Sequence, residues 1–342
     1  MTIDKRFFGK TVNNEDVYAY TLNDNGLIVE ILTFGGTIRN IIVPTDDGPR
    51  DINLGFDSVS DYETKIGYIG ALIGRYSNRI GNAEFTLNGT KYHLDKNNDK
   101  SCLHGGFNAF DKKVWDATIN SDGITLKLNS PDMENGFPGN LDVEVTYTLK
   151  NRELTIDYKA VCDADTVLNL TNHAYFNLSG HASGGVEKHK MQIFADKVTE
   201  MSETYITTGK LLDVTGTPFD LRELTVIGPG LESDHPQIIV GGGYDHNFVL
   251  SDLPYHDLAS AAILECDGIR VTCLTTMPGV QFYSGNMLVG ETGKDNAVYS
   301  RRAGLCLETQ FWPDSVNKPD FPCSTLKKGE TYHHTTVYRF DF

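Results

Sequence analysis

The sequence predicts an all-β protein, a large antiparallel β-sandwich or barrel, from period-two alternation, closely spaced hairpin dipeptides and scarce helical periodicity. Val143, Val145, Tyr147 and Leu149 alternate with Asp142, Glu144, Thr146 and Thr148. That spacing gives a strand one apolar and one polar face. The same period recurs at Leu154, Ile156, Tyr158 and Ala160. Asn88-Gly89 separates Glu84–Leu87 from residues 90–94, and Asp267-Gly268 lies between Ile263-Leu264 and Val271. Both dipeptides accept the positive φ of a two-residue hairpin turn. One short helix is expected across residues 58–64, capped by Ser58 or Ser60.

With 342 residues, 39% of them apolar, the chain can bury a sizeable core. The candidate site residues run from Asn78 to Glu308 with no Pro- or Ser-rich break, so residues 1–342 are expected to form a single domain. Thirty Lys and Arg against 46 Asp and Glu give a net charge of −16. That balance opposes nucleic acid and anionic membranes and suits a small neutral ligand. The first ten residues lack the apolar stretch of a signal peptide, and no segment has the apolar run of a membrane helix. Cys266 and Cys273 flank the Asp267-Gly268 turn. A two-residue loop pairs 266 with 269 and 262 with 273, which leaves these thiols out of bonding reach. No C-x-x-C occurs among the six cysteines, so a reduced, cytoplasmic setting is expected.

The chemistry-bearing segment is Asn169-Leu170-Thr171-Asn172-His173-Ala174-Tyr175-Phe176-Asn177-Leu178. His173 is a side chain that can give or take a proton near neutral pH. Four further segments accompany it: Gly74-Arg75-Tyr76-Ser77-Asn78-Arg79-Ile80, Leu103-His104-Gly105-Gly106, Gly243-Tyr244-Asp245-His246-Asn247-Phe248, and Leu307-Glu308-Thr309-Gln310-Phe311-Trp312-Pro313-Asp314. In this order the set resembles the aldose 1-epimerases, or galactose mutarotases, and the resemblance extends from about Phe8 to Phe340. It implies a two-sheet super-sandwich with the site in an open concave face. It also implies exchange of the anomers of hexoses such as galactose and glucose, by general acid/base ring opening and closure without a cofactor.

The resemblance makes Glu308 the general base and His173 the general acid, with His104 orienting the anomeric and ring oxygens. On its strand, alternation places Glu308 on one face with Cys306, where an unpartnered carboxylate would be costly. Asn78, Arg79, Asp245 and Gln281 are matched to sugar hydroxyls, Tyr175 to one wall of the pocket, and Arg75 to a structural role. A carboxylate beside His173 is expected to raise the imidazole pKa and lower its own, keeping both groups charged. The run Gly241-Gly242-Gly243 suggests close backbone approach near the site, and His333-His334 a solvated pair on a late strand. Two departures from the family pattern, Met277 and Phe311, bear on substrate preference.

Three rival readings use parts of the same set. A glycosidase could pair Glu308 with Asp245, but histidines as partners suit proton shuffling better. A carbohydrate-binding module needs aromatic platforms, and the chain has only Trp115 and Trp312 as tryptophans. A hexose 6-phosphate epimerase needs clustered basic residues, and no basic run is present. A catalytic metal is not expected, since no H-x-H or H-E-x-x-H occurs. The expected partner is a small hexose, bound by a monomer or weak homodimer.

Overall fold

A computed structural model describes residues 1–250 and 258–342, with 48% strand and 9% helix. Three antiparallel sheets carry the fold. The first is a meander of five strands in chain order: Thr2–Lys10, Asp16–Asp24, Leu27–Leu32, Ile38–Thr45 and Gly48–Asp51. The largest has nine strands, in the order Asp116–Ile119, Gly123–Ser130, Leu141–Lys150, Glu153–Cys162, Thr331–Asp341, Ile269–Thr275, Ala259–Cys266, Lys190–Ile193 and Thr225–Val226. The third runs Thr207–Asp213, Lys197–Met201, Asp245–Val249, Gly279–Tyr283, Cys306–Gln310. The C-terminal strand Thr331–Asp341 therefore sits at the middle of the nine-stranded sheet, joining segments more than a hundred residues apart in sequence.

Alternation becomes burial as expected. Val143, Val145, Tyr147 and Leu149 are buried while Asp142 and Lys150 face water, and Leu141–Lys150 pairs with Glu153–Cys162 along its full length. One apolar cluster takes residues from all three sheets, among them Val29 and Ile31, Val145 and Ile156, and Phe248, Phe282 and Leu307. Two buried tyrosines tie the layers through their hydroxyls. Tyr147 donates to the Gly36 carbonyl at 2.7 Å, and Tyr338 to the Leu307 carbonyl at 2.9 Å. Each bond satisfies polar groups that would otherwise be left unpaired in the core.

The turns follow their dipeptides. Asn88 and Gly89 have φ of 50° and 79°, Asp267 and Gly268 of 47° and 78°, the left-handed pair of a type I′ hairpin. Leu87 pairs with Thr90, Cys266 with Ile269 and Ala262 with Cys273, and all six cysteines are free. The expected helix is Val59–Thr64, with Ser58 Oγ accepting from the Asp61 amide at 3.1 Å. Among the described residues no helix is long and apolar enough to cross a membrane.

One expectation is made more specific and one is corrected. The glycine run packs closely beside the site, as expected, without lining its cavity: a Cβ on Gly241 would lie 3.6 Å from Asp245 Cβ, and Gly242 caps the helix Pro236–Gly241 at φ 65°. Gly243, at φ 142°, backs onto Asn286, whose Oδ1 would lie 2.3 Å from any Cβ there. His333 and His334 are not a solvated pair, because neighbours on a strand face opposite ways. His333 meets Asp157 at 2.8 Å on the outside, whereas His334 is buried edge-on against Phe311 and Tyr332.

Ile156 and Lys159 lie on the same strand and face core and water respectively. Ile156→Ala is expected to destabilise by about 2–5 kcal/mol and Lys159→Ala by less than about 0.5 kcal/mol. Urea denaturation of the two variants beside wild type checks this.

Candidate active site

Three neighbouring strands of the third sheet build the floor. Their register places Asp245, Tyr283 and Cys306 in one row and Asn247, Gln281 and Glu308 in the next. Rows two residues apart on a pleated sheet share a face, so these side chains point the same way. Between Cys306 and Glu308, Leu307 turns into the core. Glu308 is 2% exposed, and its Oε2 has no hydrogen-bond partner within the protein. A buried, unsatisfied carboxylate oxygen is costly and marks a place where a ligand supplies the missing contact.

His173 is held from the other side. It follows the short strand Thr171–Asn172, paired to Leu72–Ile73, and its backbone amide and carbonyl bond to Ala71 and Gly70 at 2.9 Å each. Its Nε2 lies 3.6 Å from Glu308 Oε2, and its Nδ1 lies 3.4 Å from Cys306 Sγ. Tyr175 stacks beneath the imidazole at 5.0 Å and donates its hydroxyl to the Gly67 carbonyl.

The third wall comes from residues 78–104. Asn78, at φ 60°, turns the chain so that Arg79 enters a two-residue strand opposite Leu103. His104 Nδ1 accepts the Asn78 amide at 3.2 Å, and its backbone amide returns a bond to the Asn78 carbonyl. Arg79 donates Nε to Asn98 Oδ1 at 3.0 Å, with its guanidinium 5.0 Å from the ring centre of Tyr205.

These walls enclose about 280 Å³, lined by Asn78, Arg79, His104, His173, Tyr175, Asp245 and Glu308. Seven of the eight expected site residues therefore meet at one cavity. Gln281 does not line it. Its Nε2 donates to Asp245 Oδ1 at 2.7 Å and its Oε1 accepts from Gln310, so it stands behind Asp245 and orients it. Arg75 is structural, as expected, with its guanidinium spent on the carbonyls of Ser130, Pro131 and Pro138. Met277 lies in the core and Phe311 faces a different cavity, so neither touches the lining and the substrate preference linked to them has no contact here. The lining also includes Tyr68, Asn97, Asn98 and Tyr283, which the sequence reading missed. Tyr283 was legible as the residue two after Gln281 on the same face. For the other three no local pattern signals an inward position.

Electrostatics overturn the expectation of two charged groups. Burial lifts Glu308 well above the usual carboxylate range, Asp245 pushes it the same way, and Arg79 opposes. Burial draws His173 down to about 4, and holds His104 well below the ordinary histidine value with help from His173 and Arg79. Asp245 is raised by its own burial, against the pull of Arg79. In this dry site desolvation outweighs the mutual attraction of one acid and one base. Without ligand, burial therefore favours the uncharged form of each group.

His104, His173 and Glu308 each offer a ligand atom within 4.8 Å of the others, spacing that could hold a cation. The hydrogen bonds disfavour it. With Nδ1 accepting from Asn78, neutral His104 carries its proton on Nε2, and a metal-binding imidazole needs that nitrogen bare with its other N–H donated outward.

The fold is a β super-sandwich, and one cavity gathers two carboxylates, two imidazoles and an arginine, all buried. Residues 18–339 match the family model described as aldose 1-epimerase. The galactose mutarotase of Mus musculus is 43% identical over 326 residues, covering 95% of this chain and 94% of its own. The aldose 1-epimerase of Escherichia coli is 37% identical, covering 93% of each. A solved galactose 1-epimerase from Lactobacillus acidophilus superimposes with a TM-score of 0.86 at 28% identity, covering 99% of this chain and 98% of that one. The chain belongs to the aldose 1-epimerase family.

Burial draws the imidazole of His173 down to about 4 and raises the carboxyl of Glu308, so kcat/KM is expected to be bell-shaped in pH, with both limbs belonging to the coupled pair. ¹⁵N spectra of the ligand-free protein at pH 6 should show His173 as neutral imidazole; an imidazolium signal there would contradict the downward shift.

Proposed function

We propose that this protein interconverts the α and β anomers of hexoses such as galactose and glucose, with Glu308 as general base and His173 as general acid. The observation that carries this reading is the 3.6 Å approach of His173 Nε2 to Glu308 Oε2, both groups buried and facing one sugar-sized cavity. Glu308 takes the proton of the anomeric hydroxyl while His173 Nε2 gives a proton to the ring oxygen. The bond from C1 to the ring oxygen breaks as the C1 carbonyl forms. Rotation about C1–C2 presents the other carbonyl face, and the reverse transfers close the ring. Nothing is oxidised, and one proton shared by the pair suffices.

The charged arrangement that starts the reaction holds the same single proton as the neutral pair of the empty site. Moving it from carboxyl to imidazole needs only that sugar hydroxyls and Arg79 supply what water would have supplied. Asn78, Arg79 and Asp245 hold hydroxyls in this reading. Gln281 acts through Asp245, Tyr175 backs His173, and His104 presents an Nε2 proton to the anomeric or ring oxygen. A neutral hexose is the partner, with no nucleic acid or membrane, acting on a cytoplasmic monomer or weak homodimer; the net charge of −16 supports this. Folding as one domain is part of the proposal, supported by the largest of three apolar clusters among the described residues, which takes residues from Tyr20 to Phe340.

Glu308→Gln keeps size and removes basicity, so it should lower the rate by roughly 10²–10⁴. His173→Asn should lose a comparable factor, and the double variant little more than either single one. Optical-rotation decay of freshly dissolved α-D-galactose reads this out, with thermal melts to confirm folding. Near-normal exchange by either folded single variant would remove that residue from its role.

No metal enters this scheme. Exhaustive dialysis against a chelator is expected to leave anomer exchange unchanged. Activity lost on dialysis and restored by one particular metal would overturn the proton-transfer mechanism.

A further inference from the structure

Tyr68 is a cavity-lining residue with an unusual backbone. It has φ 54°, a left-handed conformation that bulky L-residues rarely adopt, between Gly67 at 103° and Gly70 at 76°. Strain of this kind persists only where the surroundings over-determine it. Here they do, because the segment is strapped to the strand that carries His173. Gly70 donates its amide to the His173 carbonyl, the His173 amide bonds to the Ala71 carbonyl, and Ala71 closes a turn back onto the Tyr68 carbonyl. Asn172 Nδ2 donates to the Gly70 carbonyl, and the Tyr175 hydroxyl to that of Gly67. Gly70 is fixed in turn, since a Cβ there would sit 2.2 Å from the Ile38 carbonyl oxygen.

The outcome is a phenol ring set against both imidazoles. Its centre lies 4.6 Å from that of His104, edge-on, and 6.1 Å from that of His173, nearly parallel, while the two imidazoles meet edge-on at 5.3 Å. His104 is fixed by its bond to Asn78, but His173 has no strong side-chain bond other than its approaches to Glu308 and to the Cys306 thiol. Two nearly parallel rings, Tyr175 at 5.0 Å and Tyr68 at 6.1 Å, together with Tyr283 edge-on at 6.2 Å, set the plane of its ring. We propose that Tyr68 is a positioning residue for anomer exchange: its ring fixes the mutual orientation of His104 and His173, and the strained turn exists to place it. This rests on the acid–base reading of His173 given above.

The test compares Tyr68→Phe, which keeps the ring, with Tyr68→Gly, which removes it and also relieves the positive φ. Tyr68→Gly should melt near wild type yet lose on the order of tenfold or more in kcat, with KM within about threefold, because small misplacements of an acid cost rate rather than binding. Its His104 and His173 imidazole resonances should shift. Tyr68→Phe should restore both rate and spectrum. Should Tyr68→Gly fail to fold, Tyr68→Leu, with similar bulk but no flat face, carries the same expectation. Wild-type exchange, abolished in His173→Asn, is the reference. If that reference fails, the acid–base reading fails with it. If it holds while the ringless variant keeps wild-type kcat, or Phe and the ringless variant lose rate equally, the positioning role of the ring is wrong.

Discussion

Desolvation governs this structure. Glu308 and Asp245, two carboxylates on one sheet face, and His104 and His173, two imidazoles from facing segments, are all buried around one cavity, with Arg79 also buried among them. Leaving such groups out of water costs several kcal/mol each unless partners or neutralisation offset it. The fold offsets it partly through the Gln281–Asp245 bond and the Asn78–His104 bond, and partly by shifting the acid–base pair toward its uncharged forms. What remains uncompensated, above all Glu308 Oε2, is the contact a hexose would complete. A nine-stranded sheet and a core reaching from Tyr20 to Phe340 give the scaffold rigidity enough to hold that arrangement open.

Much of the fold was legible because its elements are locally determined. The alternation at 142–149, the Asn88-Gly89 and Asp267-Gly268 turns and the Ser58 cap need no distant partner, and each formed where its residues indicate. The cysteine register followed from turn length alone. The pair His333-His334 misled because tertiary packing decides its surroundings, and it splits between water and a buried aromatic nest.

The site was legible as a set of residue types and not as an electrostatic state. Seven of the eight residues converge because strand register and the 78–104 turn bring them together. Pairing arguments alone predict charged partners. Depth reverses that, and depth is a property of the whole core, which no local motif carries. Gln281 shows the same limit at smaller scale, since its rank behind Asp245 depends on which neighbour claims each amide atom. Tyr68 lay hidden for a related reason: a lone tyrosine after a glycine resembles any turn, and its meaning lies in four hydrogen bonds between its segment and residues 172–175.

Leu307 and Glu308 are adjacent residues with opposite duties, one packed into the core and one facing the cavity. A shift of one residue along the Cys306–Gln310 strand would exchange them, burying a carboxylate in hydrocarbon and offering the sugar a leucine. The central strand therefore tolerates a one-residue slip poorly, because fold and chemistry would fail together. Change in what the cavity admits is left to the rim, where Ile66 and Met287 are more than two-fifths exposed on segments outside the three sheets.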